Sequence, residues 1–508
     1  MHIRRKLVAT GVAAALSTLS GAAIATNGMN LEGYGPIATA MGGASMAYDN
    51  GVAAVMNNPA TLSLMPEGSD RVDLSLGFLG PDVEANMSMG TAKYRWPSGG
   101  DSYYMPNIGW VTSVGRFTFG FGGLGMFAQG GMGTEFPNGG PGSLAVDGAI
   151  SGMINDTTPE MPSMPELSTM QNFEERSELG VARIVIPLSA RVNDRLSVGG
   201  SIDWVRANLD IKMAMTGQQF MGLNPQMSAG LQSMFTPMFE IMQTNAVSGT
   251  NSGVSNVHAA QMDFSDDSDY SGQAVGSGFA GKIGFTYKIN QDLNIGATYH
   301  SKTALSDLEG SASMAMAVDY YDSDNNVTMQ MPMTMTGKVS VVDFEWPSML
   351  GIGVAYQASD KLFIAADIKR VNWSDVMDSF NIKFTADANA NFGLPAGQTV
   401  MVSMPQNWDN QTVFQLGGAY QMNDQLVLRA GFNYGSNPIP DAYLHYLFPA
   451  IVERHFTVGF GYDVTDVDQV NFAFSHAPEV SATNSSTGVD MVISHSQSNW
   501  QLMYSRMF

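Results

Sequence analysis

Hydrophobic and polar residues alternate with a period of two over much of the chain. Val72, Leu74, Leu76 and Phe78 oppose Asp73, Ser75 and Gly77; Leu362, Ile364, Ala366 and Ile368 oppose Phe363, Ala365, Asp367 and Lys369. That period marks strands with distinct faces. Six short polar breaks separate such runs, at 114–116, 192–195, 289–292, 358–361, 421–424 and 464–467. Their Asn, Asp and Gly are the chemistry of tight turns. Much longer Gly-, Pro- and Met-rich stretches lie between, above all at about 130–176 and 215–272.

Short turns at one rim and long loops at the other form the pattern of a transmembrane β-barrel. With both ends of the barrel at the short-turn rim, six turns need seven outer loops. The expectation is an all-β, 14-stranded antiparallel transmembrane β-barrel. Its strands are expected at 71–88, 103–114, 116–129, 177–192, 195–214, 273–290, 292–317, 332–358, 361–384, 401–422, 424–437, 452–463, 467–478 and 490–508.

Both termini agree with export to an outer membrane. Trp500, Leu502, Tyr504, Arg506 and Phe508, counted by twos, make a final strand ending in an aromatic residue. It resembles the closing strand of bacterial outer-membrane barrels, which carries the signal for the barrel-assembly machinery. Arg506 departs from that pattern, standing where an apolar residue is expected. Arg4, Arg5 and Lys6, the apolar run Leu7–Leu19 and Ala23-Ile24-Ala25 read as a signal peptide over 1–25, so the mature chain is expected from Thr26. The apolar run is too short to cross a bilayer as a helix.

Residues 26–70 are rich in small residues and lack strand alternation. A lumen that wide is not filled by its own side chains, so an N-terminal plug (hatch) is expected inside it, with the barrel over 71–508. A mean hydropathy of -0.03 does not oppose this, because lipid-facing and lumen-facing residues average out. The absence of cysteine suits an exported chain without disulfides. The net charge of -22, or -25 after loss of three basic leader residues, argues against nucleic acid as a partner.

The order of several short stretches adds a resemblance. Gly42-Gly43-Ala44 and Asn58-Pro59-Ala60 come first, then Gly131-Met132-Gly133-Thr134-Glu135-Phe136 and Thr298-Tyr299-His300-Ser301-Lys302. Trp346-Pro347-Ser348, Gly351 to Tyr356, Trp373-Ser374, Asn407-Trp408 and Leu428 to Pro440 complete the series. In that order the chain resembles the long-chain fatty acid transporter (FadL-type) family of outer-membrane channels, which includes uptake channels for toluene and other aromatic hydrocarbons. The resemblance covers most of the mature sequence. Its Met- and aromatic-rich character and the Thr26–Gly33 opening lean toward the aromatic branch.

The resemblance implies passive uptake of a hydrophobic ligand in the outer membrane of a Gram-negative bacterium: capture on outer loops, a lumen pocket, plug rearrangement and sideways exit. For the outer groove, the candidates are Phe220, Met227, Leu231, Met234, Phe235, Met238 and Met242; from Met227 onward they fit one apolar helical face with adaptable methionines, which would equally serve to pack the helix on its own loop. For the exit, Gly120, Gly122, Gly123 and Gly125 crowd one strand, and glycine marks bulges and close backbone approach; Pro187 is a second candidate. For the pocket, the resemblance supplies Thr26, Asn27, Gly28 and Met29 at the plug's free end.

A base for a carboxylate head is sought at Arg206. In strand 195–214 the apolar parity flips near Asp203–Trp204, as a bulge would make it, which puts Arg206, Asn208, Asp210 and Lys212 inside. Asp210 competes as a structural partner of Arg206, and Lys369 is a weaker second base. Asn58, Pro59 and Ala60 are expected to anchor the plug to the wall, against the plainer reading of an Asx-Pro turn.

Other patterns carry little. Gly276, Gly278 and Gly281 spell a nucleotide-loop motif, but a strand follows instead of a helix. Histidines lack metal spacing, so no cofactor and no metal are expected. A barrel hydrolase needs a Ser–His pair; His300 with Ser301 and His476 with Ser475 are sequence neighbours and face opposite sides, so only a cross-strand pair would serve. A general porin or adhesin has no use for the plug or for a Met/Phe loop face. The expected partners are a hydrophobic small molecule, outer-membrane lipid and lipopolysaccharide, with the chain a monomer.

Overall fold

The computed structural model describes residues 27–158, 161–222, 253–268, 271–322, 325–388 and 396–508, with backbone alone at 123–128, 221–222, 253 and 255. Among these residues, twenty-one strands share one antiparallel sheet. They are β1 (Asp70–Met89), β2 (Ala92–Pro97), β3 (Tyr103–Val114), β4 (Phe117–Phe136), β5 (Glu175–Arg191), β6 (Leu196–Thr216) and β7 (Gly253–Phe264). Next come β8 (Ala274–Lys288), β9 (Leu293–His300), β10 (Ala304–Leu305), β11 (Leu308–Asp322), β12 (Val327–Val342), β13 (Met349–Ser359) and β14 (Leu362–Val371). The last are β15 (Ser379–Ala386), β16 (Thr399–Pro405), β17 (Gln411–Gln421), β18 (Leu426–Gly435), β19 (Arg454–Asp463), β20 (Asp468–Asn484) and β21 (Met491–Met507).

The sheet closes on itself. Neighbours run β1, β3, β4, β5, β6, β8, β9, β13, β14, β17, β18, β19, β20 and β21, and β21 returns to β1 from Arg71↔Met507 to Met87↔Met491. Each of the expected polar breaks is a turn between two neighbours in this circuit.

The expected fourteen strands are too few for this sheet. The run 292–317 divides into β9, β10 and β11; 332–358 into β12 and β13; 361–384 into β14 and β15; and 401–422 into β16 and β17. β2 and β7 lie in stretches read as loops. Alternation persists through the divisions, so period alone does not reveal them. Three of them hold Trp346, Trp373 and Trp408, whose rings meet edge to face at centroid separations of 5.5 and 5.3 Å. Beyond these tryptophans β7, β11, β12, β15 and β16 pair with one another as an upper tier, continuous with the wall where β7 pairs with β6 and β11 with β8.

Side-chain polarity is inverted relative to a protein folded in water. Ile202 and Ile283 are 67% exposed and Phe279 61%, whereas Asp203 is 0%, Lys282 2% and His455 0% exposed. A continuous belt of exposed aliphatic and aromatic side chains is stable only against lipid. Tyr287, Tyr356, Tyr420, Tyr462 and Tyr504, all exposed, stand close to the short turns. Amphipathic rings gather at a membrane–water boundary in that way.

The inward polar residues have partners. Asp203 receives Arg183 Nη1 at 2.8 Å and is also paired with Lys282. Many others bind the amino-terminal segment 27–65, which is buried almost throughout and forms a short helix, Pro36–Thr39, and 3₁₀ turns Val52–Val55 and Pro59–Leu64. Asp367 accepts from Ser45 N (2.6 Å) and Met46 N (3.1 Å), Asp73 from Val52 N (2.7 Å), and Ser475 donates to Glu32 (2.5 Å). Gln415 donates to Glu32 O (2.7 Å). The segment therefore bonds to strands spread round the whole circuit. Hydrogen bonds satisfy its irregular backbone where water is excluded.

Candidate ligand-binding cavity

β4 carries more residues than its neighbours accommodate. Its ladder with β3 runs only from Val114↔Phe117 to Gly109↔Gly122. Tyr103 to Ile108 pair with β1 on the other side. Against β5, Gly122 opposes Val185 and Gly130 opposes Val181, so eight steps on β4 face four on β5. The four extra residues push β4 off the wall. Pro187 lies beside this stretch, opposite Ser201 of β6 in an unshifted ladder.

Displaced β4 meets the amino-terminal segment. Asn27 and Asn30 close a tight turn with Gly28 at φ +62°. Gly131 N donates to Met29 O at 3.1 Å, and Asn30 bridges to Gly130. Close contact excludes side chains here: a Cβ on Gly130 would sit 1.8 Å from Met29 O, and one on Gly28 2.8 Å from the Trp373 ring.

A cavity of about 300 Å³ fills the space between them. Its inner side is Met29, Leu31, Val83, Leu179 and Val181; Tyr103 to Pro106 and Gly130 to Gly133 border the unpaired part of the wall. Glu178, Arg206 and Asn208 stand on the wall side, and Pro449, Ala450, His495 and Gln497 close the remaining corner. Pro449 belongs to an outer loop that folds inward across the barrel. Tyr446 OH of that loop donates to Glu175 Oε1 at 2.5 Å, and Ser177 donates to Leu447 O.

The expected pocket residues divide. Gly28 and Met29 line the cavity, Asn27 supports their turn, and Thr26 lies outside the described residues. Arg206 does not point into the lumen. β5 and β6 pair without a register shift, and Asp203, Val205, Ala207, Leu209 and Ile211 all remain buried. The inward face changes from polar to apolar while its parity stays constant, which imitates a bulge in the sequence. Arg206 is exposed and reaches only the cavity's wall side. Asp210 is not its partner; it accepts from Ser265 Oγ (3.0 Å) and Gln273 N (2.5 Å). Lys369 is inward but away from the cavity lining, with Nζ 3.4 Å from Gly43 O.

Asn58 Nδ2 donates to Met46 O (2.7 Å) and to Phe285 O of β8 (3.1 Å), while Oδ1 caps Ala60 N (3.1 Å). Pro59 and Ala60 lie against Gly199 of β6. Of the glycines in β4, Gly120 is still paired, its Cβ position 2.1 Å from Trp110 O; Gly122 is the last residue paired to β3; Gly123 and Gly125 fall in the extra stretch. Phe220 is buried in the main apolar cluster. Met227, Leu231, Met234, Phe235, Met238 and Met242 lie outside the described residues.

Sequence reasoning missed Gly130 and Gly131, the inward outer loop and His495. Trp346-Pro347 did carry a signal, because proline is confined to strand ends and edges. Among the described residues, the cross-strand pair that a hydrolase would need has one instance, His476 Nδ1 at 2.9 Å from Ser498 Oγ on the lipid-facing side. Among the described residues His476 makes no hydrogen bond to a carboxylate, so an orienting third group is missing.

Solved structures share this architecture. The toluene transporter TodX of Pseudomonas putida aligns with a TM-score of 0.71 and 29% identity over 94% of this chain and 99% of that one. The toluene transporter TbuX of Ralstonia pickettii aligns with a TM-score of 0.65 and 28% identity over 94% and 99%. A Chlorobium limicola protein of uncharacterised function is 56% identical over 73 residues, 14% of this chain. The matches span 36% and 45% of the length of the curated relatives. Residues 169–504 match the family described as outer membrane protein transport protein (OMPP1/FadL/TodX). The chain thus belongs to the OMPP1/FadL/TodX family of outer-membrane transport proteins.

Proposed function

We propose that this protein is a passive outer-membrane channel for small hydrophobic compounds of single-ring aromatic size. A cavity of about 300 Å³ is roughly twice the volume of ~150 Å³ that holds benzene, and stands at the small end of ligand sites, about 300–1,000 Å³. The similar transporters TodX and TbuX are described as toluene transporters, which favours aromatic hydrocarbons over long-chain fatty acids. Lys369 is attached to Gly43 away from the cavity lining, and Arg206 borders only its exposed wall side, so among the described residues the buried side of the cavity has no cationic group for a carboxylate head.

The carrying observation is one cavity bordered both by buried Met29 and Leu31 and by the part of the wall where β3 lacks β4. In this reading segment 26–70 is the plug, the short-turn rim faces the periplasm, and ligand leaves between β3 and β4 into lipid. Asn58, Asp367 and Lys369 hold the body of the plug while its first turn, 27–30, moves. The channel works as a monomer.

Expression in a host stripped of its own channels of this kind tests the reading. Ethylbenzene uptake should rise well above the empty-vector level, palmitate uptake should not, and planar bilayers should show no steady ion conductance. Palmitate uptake without ethylbenzene uptake, or an open pore, would overturn it.

A further inference from the structure

His495 lies on the inward face of β21 and is 5% exposed. The residue lines the cavity beside Pro449, Ala450 and Gln497. Nδ1 is 2.9 Å from Pro449 O. A carbonyl oxygen only accepts, so the proton of the neutral ring sits on Nδ1, and Nε2 carries a lone pair. Among the described residues that Nε2 has no hydrogen-bond partner, although the atom is buried.

This is a built corner. The loop carbonyl fixes both tautomer and ring orientation, and the facing surfaces at Met29, Leu31, Val83 and Leu179 are apolar. Of the other polar side chains of the lining, Glu178, Arg206 and Asn208 are less buried, with Glu178 paired with Arg176 at 2.7 Å; Tyr103 and Tyr104 border the wall, and buried Gln497 donates to Asn499 Oδ1 at 2.9 Å. A buried acceptor without a donor is unfavourable. A ligand bringing one hydroxyl on an apolar ring would relieve that, and a plain hydrocarbon would not.

We propose that the preferred ligands are phenols, single-ring aromatics whose hydroxyl donates to His495 Nε2, which makes His495 the specificity-determining residue. The inference rests on the cavity being the transport site. A neutral hydrogen bond in place of an unpaired acceptor predicts about a 3- to 10-fold preference for a phenol over its parent hydrocarbon.

Binding of 4-fluorophenol and fluorobenzene to the full chain in lipid nanodiscs, followed by ¹⁹F NMR, tests it. The wild type should bind the phenol about 3- to 10-fold tighter after correction for lipid partitioning. His495→Leu should bring the ratio close to one, with its folding shown independently by the faster migration of the unheated barrel in gel electrophoresis. His495→Gln, which keeps an acceptor, should restore much of the ratio. Fluorobenzene binding without preference in the wild type, or an unchanged ratio in His495→Leu, overturns the inference and leaves the channel reading standing. If neither probe binds the wild type, both fall.

Discussion

Asn58 shows how much one side chain holds in this protein. Its amide joins Met46 O, Phe285 O and Ala60 N, three backbone groups from two parts of the chain. Asn58→Ala removes a cap worth about 1 kcal/mol and leaves a buried carbonyl, Met46 O, and a part-buried one, Phe285 O, short of a donor at up to about 1 kcal/mol each. A loss of about 2–3 kcal/mol is expected. It should appear as faster hydrogen exchange at the Ala60 amide, with the barrel strands still protected. Unchanged exchange would show that the segment is held elsewhere. Asn-Pro-Ala was legible in the sequence because an Asx-Pro turn is local chemistry. Arg206 was misread because its placement depended on parity, and an inward face that turns from polar to apolar looks the same as a bulge.

At the scale of elements, β4 leaves β3 unpaired beside the cavity and the inward loop covers its remaining corner. Deleting residues 124–127 removes the four-residue excess of β4 over β5. The β3–β4 ladder should then extend through Tyr103 to Ile108, and hydrocarbon uptake should fall to background in a barrel that still migrates as folded. Normal uptake would place the exit elsewhere. The inward loop is expected to loosen in acid. His445 stacks on Tyr446 at 4.4 Å, its Nδ1 accepts from Leu447 N at 3.2 Å, and burial pushes its pKa from 6.5 down to about 4. The unfolded loop therefore binds a proton more readily than the folded one. Stability is present above about pH 6.5 and is lost as the pH falls toward 4. Exchange at the Leu447 amide should quicken over that window in the wild type and stay flat in His445→Phe; parallel curves would refute the assignment. The kink's glycines were visible as a cluster. That Gly130 and Gly131, beyond that cluster, meet the amino-terminal segment was not, since it depends on Met29, about a hundred positions away.

At the scale of the whole molecule, the solvent decides the arrangement. Ile283, 67% exposed, faces lipid, so Ile283→Arg should weaken folding into vesicles by about 2–4 kcal/mol if it lies at mid-membrane. Asp203→Asn, on the other side of the wall, leaves Arg183 and Lys282 without their shared carboxylate. A loss of about 3–5 kcal/mol is expected from such uncompensated buried charge. Both values are measurable by denaturant titration, and a neutral result for Ile283→Arg would contradict the lipid belt. The sequence by itself determined the all-β character, the six turns and the polarity of the wall, because period two and turn chemistry are properties of neighbouring residues. Only the tertiary structure decided where the ladder divides at Trp346, Trp373 and Trp408, where β4 leaves β3, and that His495 meets Pro449. Those outcomes come from the fit between distant segments that must satisfy one another's backbone inside the barrel, and alternation along a single strand does not encode them.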